Sequence, residues 1–578
     1  MEPHQARGYR PDIDGLRAIA VMAVIAFHLD WLPNGYLGVD VFFVISGYLI
    51  TSLCLREARA GRFTFLGFWI RRVRRILPLV CVVVAAALLV GSMVMLPDDL
   101  ENLAQSVIAT NLFANNILQV WTTRNYWDVV NEYKPLMHSW SLGIEEQYYL
   151  VFPVLIMFLL KGGRTCFVLT VGFLASVSLV LYLCESTEHL RFYLLHYRFF
   201  ELAAGALLAM ALDSGLPRLP VGWLGLISLM VLLTIDLSLT PTVRLMLVIL
   251  STMLIIVSDN SPARCHGRLL TNAALVFVGL ISFSLYMWHH VVFAYARYTF
   301  LPTITLPWAI GLMAGCVTLS WWTWRFVERP FRDTTCIPTW AVLVCVAMGM
   351  LVTTASAVFI YSRGGVLRNV PELDIRVEGG VRYVHQAYNH RILDYNRAFP
   401  DTSRLNVLVV GNSFARDWAN VLLESDQSSR FTLSYRVAWD GEAEARAKKA
   451  DLIYVYSSDR SEAIDPVFTK RIWFIGSKSF GVSNGIFYNR PRDAQYCSQH
   501  ASPDPTYLAA DRRIRAFAGP RHIDILGRLR DPSGSVPVFT PECRFISMDT
   551  RHLTRAGAVF LAHLFADDIT AHFARAGS

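Results

Sequence analysis

Charged residues are scarce in this chain: Asp, Glu, Lys and Arg make up 17% of its 578 residues, while 54% are hydrophobic. So few charges cannot supply the polar surface that a soluble protein of this length needs, and a wholly soluble fold is excluded. A small-residue cleavage pattern is also missing: "ARGYRPDIDGLR" leads straight into the first apolar stretch, so no cleavable signal is expected. Cysteine is rare outside the apolar part. Eight of the ten lie before residue 362, as small apolar packing residues, and only Cys497 and Cys543 follow. In an oxidising compartment those two are a reasonable disulfide pair. No internal repeat relates the halves of the apolar region, which argues against an inverted-repeat carrier.

Long charge-free runs dominate what is present. "LPLVCVVVAAALLVGSMVML" (77–96) and "VLVCVAMGMLVTTASAVFIY" (342–361) each have the length a helix needs to cross hydrocarbon. Eleven spans are expected, centred near residues 24, 47, 87, 153, 175, 205, 230, 249, 281, 315 and 351. Short loops rich in Lys and Arg stay cytoplasmic. Basic clusters at Arg7, Arg10 and Arg17, at 56–75, 161–164, 263–268 and 325–332 all fall on one side if the spans number eleven, which places the N-terminus in the cytoplasm. The acid-leaning loops 30–40 and 96–105 then lie outside. An odd number of spans delivers everything after about residue 362 to the far side. The net charge of +8 is thereby a topology signal, and no nucleic-acid partner is expected.

After residue 361 the long runs vanish, and short strand-like segments such as "RLNVLVVG", "ADLIYVY" and "RIWFIG" alternate with charged helical stretches. This is the pattern of an α/β soluble domain over residues 403–578, reached through a linker over 362–402 that is too polar to be buried and is expected to pack on one module or the other. In "NVLVVGNSFARDW" (406–418), Ser413 stands where a strand turns into a helix. Alone, it reads as a helix cap. In "FISMDTRHLTRAGAVFLA" (545–562), however, Asp549 and His552 are three apart, so the carboxylate can orient an imidazole that takes the serine's proton. "KSFGVSNGI" (478–486) adds Asn484 in a loop after a strand, suited to donating hydrogen bonds to an oxyanion.

Together these motifs resemble the SGNH hydrolase family over about residues 403–575. The resemblance implies Ser413 as nucleophile, His552 as base, Asp549 as its orienting partner and Asn484 as an oxyanion donor. The chain departs from the family's pattern at Asn412, where an aspartate is usual, and in the looser "GVSN". The family's separate oxyanion glycine has no clear counterpart, Gly441 being the best candidate.

Within the apolar part, Arg17 and His28 stand on one face of the first span, eleven residues and so roughly 16 Å apart, too far to share one small ligand. Either they serve function, with His28 as a base toward the outer side, or Arg17 snorkels and His28 sits in the exit loop. The ordered motifs "YRPDIDGLRAIAVMAVIAFH", "GYLGVDVFFVISGYLIT", "FWIRRVRRILP", "HSWSLGIEEQYYLVFP", "RFFELAAGALLA", "SFSLYMWHH" and "RFVERPFR" resemble the acyltransferase-3 family of integral membrane O-acyltransferases, over about residues 9–335, with one additional helix at 336–361. His290 departs from the family, which usually has an aromatic residue after the histidine matching His289.

The resemblance implies transfer of an acetyl group from cytoplasmic acetyl-CoA to a hydroxyl of an extracytoplasmic glycan by a bacterial inner-membrane protein. No metal and no resident cofactor are expected; the partners are acetyl-CoA, the polysaccharide and the bilayer. Arg72 and Arg74 suit the phosphates of the donor, or serve positive-inside topology. Glu145 and Glu146 either bind sugar hydroxyls or orient a histidine, or else cap and anchor their helix. His138, Trp140 and His289 join this group, while Glu201 and Arg198 read as an internal ion pair. A membrane-anchored glycan O-acetyl esterase is the competing reading.

Overall fold

From Phe65 to Val94 the chain forms a single 30-residue helix. Its C-terminal half carries no charge, so only a helix, which satisfies its own backbone hydrogen bonds, suits an apolar surround. The computed structural model describes residues 9–122, 131–258, 260–261, 263–301, 303–377, 384–400, 403–457, 466–468 and 470–577; Arg7 of the N-terminal basic cluster lies outside them. The chain divides into two units. One comprises Met1–Met93, Asp99–Arg297 and Leu301–Tyr361; the other comprises Val94–Asp98, Tyr298–Phe300 and Ser362–Ser578.

The first unit is helical. Five helices among the described residues are long and apolar enough to cross a membrane: Gly35–Arg59, Phe65–Val94, Gly163–Cys184, Leu195–Asp213 and Thr339–Ser362. A sixth is added if Ala273–Leu280 and Ser282–Thr299, bent by 66° against each other, make one span. Ten of the eleven expected centres fall inside helices and the eleventh, residue 281, falls at this bend. Two of the remaining helices, Gly222–Thr234 and Pro241–Val257, are short. Pro11–His28 and Trp140–Lys161 instead carry charges, Asp12, Asp14 and Arg17 in one and Glu145 and Glu146 in the other; Arg17 and the two glutamates are residues that drew attention in the sequence.

Small residues set one of the close helix contacts. Gly47 lies against the Leu202 carbonyl and Gly205 against the Val44 carbonyl, so that a Cβ at either would stand 1.9 or 2.0 Å from the oxygen. Glycine pairs of this kind let two helix backbones touch where lipid gives no hydrophobic drive to associate. The same interface buries Arg198, paired with Glu201 at 3.0 Å, as the sequence suggested, and also with Asp40, which it did not.

The second unit is α/β. Strands β1 (Leu405–Val410), β2 (Phe431–Arg436), β3 (Leu452–Val455), β4 (Ile472–Ile475) and β6 (His522–Ile523) form a parallel sheet in the order β2-β1-β3-β4-β6, while β5 (His500–Ala501) pairs antiparallel with β7 (Val536–Pro537). Alternation along β1 sends Val407 and Val409 into one core, with Trp418 and Phe565, and Leu408 and Val410 into another, with Ala443 and Phe468. Burial on both faces is why this strand reads as an unbroken apolar run.

The described residues of the expected linker, 362–377 and 384–400, are folded into this unit. Val370, Leu373, Ile375 and Ile392 belong to the larger core, Phe545 N–H donates to the Glu372 carbonyl at 2.7 Å, and the Asn389 amide donates to the Leu553 carbonyl at 3.1 Å. Its polar residues had suggested a segment too polar to be buried, but apolar side chains spaced among them reach the sheet's core. Cys497 and Cys543 form a disulfide with Cα atoms 5.0 Å apart.

Candidate active site

A parallel sheet of this order reverses direction between β1 and β3, and the crevice outside the strand ends at that point is where such folds place ligands. Ser413 sits there, three residues past the end of β1, as the first residue of the helix Ser413–Leu423. Asn412, not Ser413, caps that helix, accepting the Phe414 N–H at 3.0 Å. The serine hydroxyl is left for other work, and it lies 2.9 Å from His552 Nε2.

The spacing of Asp549 and His552 has a local cause. Asp549 Oδ1 accepts the backbone N–H groups of Arg551 at 3.0 Å and His552 at 2.8 Å, folding "DTRH" into an Asx-type turn. Its other oxygen meets His552 Nδ1 at 2.6 Å. A carboxylate there holds the proton on Nδ1 and leaves Nε2 with its lone pair toward Ser413. Burial alone raises the Asp549 pKa, but the His552 ring and the two backbone donors outweigh it and hold the carboxyl below its ordinary value. His552 is fully buried, whereas Ser413 is half-buried and reachable.

Asn484 is placed close to this loop. Its amide nitrogen donates to the Ser547 carbonyl at 2.8 Å, and Ser547 Oγ donates to the His552 carbonyl at 2.8 Å. Gly441 opens the helix Gly441–Ala447 behind an Asp440 cap, with open space where a Cβ would be. One contact escaped the sequence reading. Asp417, one helical turn after Ser413, pairs with Lys478 at 2.9 Å and accepts the Leu553 N–H at 3.1 Å, both side chains being almost fully buried. Lys478 Nζ also lies 3.7 Å from the Phe414 ring centre. Burial lowers the Lys478 pKa and Asp417 opposes the shift. The pair ties the serine helix, the Asn484 loop and the residue after His552 together.

The helical unit holds a second group of candidates. Arg17, Arg72, Arg75, Ser46, Glu145 and Tyr149 line a cavity of about 100 Å³, together with Ser141 and Tyr286. Glu145 accepts from Ser46 Oγ at 2.9 Å and Tyr149 OH at 3.1 Å, and Arg17 pairs with Asp14 at 3.2 Å. Arg74 is not in this lining. Its guanidinium donates to the carbonyls of Asp333 and Ile337, each at 2.8 Å, and it is buried there. Helical geometry explains the difference: residues 72 and 75 share a face, whereas residues 72 and 74 are turned about 200° from each other. Arg71, on the exposed side, pairs with Glu57 at 2.5 Å. Glu146 is also outside the lining, and its Oε1 is buried with no hydrogen-bond partner among the described residues.

His28 is placed away from that cavity, in a group of histidines. Its ring centre is 5.4 Å from that of His289 and 4.7 Å from that of His290, while His138 lies 5.7 and 5.1 Å from the same two rings. Tyr286 touches both groups: it lines the cavity, its ring is 5.4 Å from His138, and its hydroxyl donates to the His138 carbonyl at 2.9 Å. Trp140 packs on Phe192, ring centres 4.6 Å apart.

A family model described as an acyltransferase domain matches residues 10–325, more than half of the chain. The chain belongs to the acyltransferase-3 family. This acyltransferase-3 protein is 33% identical over 353 residues to the peptidoglycan O-acetyltransferase OatA of Listeria monocytogenes serovar 1/2a, covering 57% of this chain and 56% of the relative. It is 31% identical over 356 residues to the O-acetyltransferase OatA of Staphylococcus aureus (strain NCTC 8325), covering 56% and 57%. The chain thus spans a little over half the length of these curated relatives. No solved structure matches it. The matched acyltransferase-3 stretch contains Arg17, His28, Arg72, Arg74, His138, Glu145, Glu146 and His289, whereas Ser413, Asn484, Asp549 and His552 lie beyond it. It is a multi-pass membrane protein with an α/β C-terminal unit.

Proposed function

We propose that the protein is an O-acetyltransferase that moves an acetyl group from cytoplasmic acetyl-CoA to a hydroxyl of an extracytoplasmic cell-envelope polysaccharide, such as lipopolysaccharide O-antigen. The Ser413–His552–Asp549 hydrogen-bond chain carries the reading, and the membership in the acyltransferase-3 family supports it. In this proposal eleven helices cross the bacterial inner membrane, the N-terminus is cytoplasmic, and the SGNH-like C-terminal unit lies outside. Arg17, Arg72 and Arg75 hold the donor's phosphates, a task for which guanidinium forks are suited. His28, with His138 and His289 beside it, takes the proton of the hydroxyl that first receives the acyl group and returns it to the coenzyme A sulfur, which leaves as the thiol when the C–S bond breaks.

Ser413 Oγ then attacks the acyl carbonyl carbon and passes its proton to His552 Nε2. Backbone N–H groups at the start of the Ser413–Leu423 helix and the Asn484 amide stabilise the oxyanion. The tetrahedral intermediate collapses, the leaving oxygen takes the proton from His552, and an acetyl-serine remains. A sugar hydroxyl attacks that ester, gives its proton to His552, and leaves acetylated as Ser413 recovers the proton. Water in place of the sugar makes the same unit an O-acetyl esterase, which the exposure of Ser413 also permits.

The test is the acetyl content of envelope glycan from cells carrying the intact gene, a deletion, or full-length Ser413→Ala or His28→Ala. Transfer requires a fall in all three altered strains. A rise on deletion would replace it with the esterase, and full acetylation in the Ser413→Ala strain would remove the serine from the route.

A further inference from the structure

We propose that His28, His289 and His290 form a binding site for a single divalent transition-metal ion of the zinc class. One ring nitrogen from each of the three lies within 4.8 Å of the others. Bonds of about 2.05 Å to a tetrahedral ion need these atoms roughly 3.4 Å apart, so binding draws the three rings closer together.

The tautomers favour it. His289 Nδ1 is 3.2 Å from the Leu285 carbonyl, and His290 Nε2 is 3.1 Å from the Lys134 carbonyl. A carbonyl only accepts, so each of those nitrogens carries the hydrogen and the opposite one keeps its lone pair. Those opposite atoms, His289 Nε2 and His290 Nδ1, are the ones buried without a hydrogen-bond partner among the described residues. A backbone carbonyl behind a ring nitrogen is the support that metal-bound histidines ordinarily have. Both rings are at most 1% exposed, so bare lone pairs there are costly unless something binds them.

Three neutral imidazoles with no carboxylate suit zinc, cobalt, nickel or copper rather than magnesium or calcium. The nearby cation is already balanced: Arg297 faces Glu132 at 3.5 Å and Asp30 at 4.0 Å and donates to the His28 carbonyl at 2.6 Å. Three ligands leave a fourth position for water or a hydroxyl, and His138 stands beside the group, its ring centre 5.1 Å from that of His290. Because the ion takes the His28 lone pair, it blocks the base action assigned to His28 above; this consequence rests on that reading, whereas the binding does not.

The test uses the full-length, tag-free protein in detergent, stripped with chelator and titrated with Co²⁺ and then Zn²⁺. One Co²⁺ per chain with the visible absorption of a tetrahedral site is expected, displaced by Zn²⁺ and weakened at least tenfold in both His290→Phe and His289→Gln. No saturable binding, or binding unchanged by both substitutions, overturns the site. Added Zn²⁺ is expected to lower acyl transfer by the unsubstituted protein and to leave His290→Phe transfer unaffected; loss of transfer on chelation overturns the competition. Unimpaired transfer by His28→Ala, with metal binding weakened, would refute the base reading and leave the metal site standing.

Discussion

Replacing Asp549 by Asn separates the catalytic role of this carboxylate from its structural one. An asparagine Oδ1 still accepts the N–H groups of Arg551 and His552, so the turn survives, but its amide N–H₂ then faces His552 Nδ1. That nitrogen becomes the acceptor, Nε2 carries the hydrogen, and the ring cannot take the proton of Ser413. The loss of acyl-serine formation is expected to be about 10⁴-fold, or about 5 kcal/mol at roughly 1.36 kcal/mol per decade. Stability falls by only about 1–2 kcal/mol, the difference between a charge-assisted and a neutral hydrogen bond. Asp549→Ala is expected to reverse the ranking. An unconstrained ring holds the useful tautomer part of the time, so the rate falls less, while two backbone donors lose their acceptor. Asp549 is 18% exposed, so water replaces part of that loss. The assay is mass spectrometry of full-length protein after a timed pulse of an activated acetyl ester, with thermal melting of the same samples. Acyl-serine formation by Asp549→Asn within tenfold of the unsubstituted rate would refute the reasoning.

Arg72→Ala and Arg75→Ala are each expected to weaken acetyl-CoA binding about tenfold or more by calorimetry, since both line the cavity. Arg74→Ala is expected to lower the melting temperature and leave donor affinity within about twofold, because its donors end on backbone carbonyls. Lys478→Met leaves Asp417 buried without its cation and is expected to cost about 3–5 kcal/mol, whereas Lys478→Met with Asp417→Leu costs less, as measured by melting of these variants and of Asp417→Leu alone; a double loss equal to the sum of the two single losses would show that the pair is not coupled. The pKa of Asp549 is depressed by folding, so its contribution to stability is complete above the ordinary carboxylate value of 3.8 and is lost as pH falls through the lower folded value. Melting between pH 3 and pH 6 is expected to show an acid-side loss that Asp549→Asn lacks.

Local pattern alone determined a good deal of this molecule. Charge-free runs announced membrane helices because hydrocarbon accepts no unpaired backbone groups, and the apolar run before Gly411 announced a strand, which the folded sheet buries on both faces. The "DTRH" spacing carried its own geometry, since an aspartate bonding the backbone two and three residues on necessarily brings its second oxygen to the imidazole. What escaped the linear chain depended on partners distant in sequence or on helical phase. The polar stretch 362–402 looked too polar to be buried because only the folded sheet reveals that Val370 and Ile392 face its core. Arg74 and Arg75 are adjacent letters, and the 3.6-residue period sends one to backbone carbonyls and the other into the cavity. His28 and His290 are separated by 262 residues, a difference of their numbers, and nothing in either neighbourhood says that their rings meet. The physical reason is general: periodicity and turn chemistry act over a few residues and are written in the sequence, whereas a site made of side chains from several helices exists only after packing has fixed how each helix is rotated.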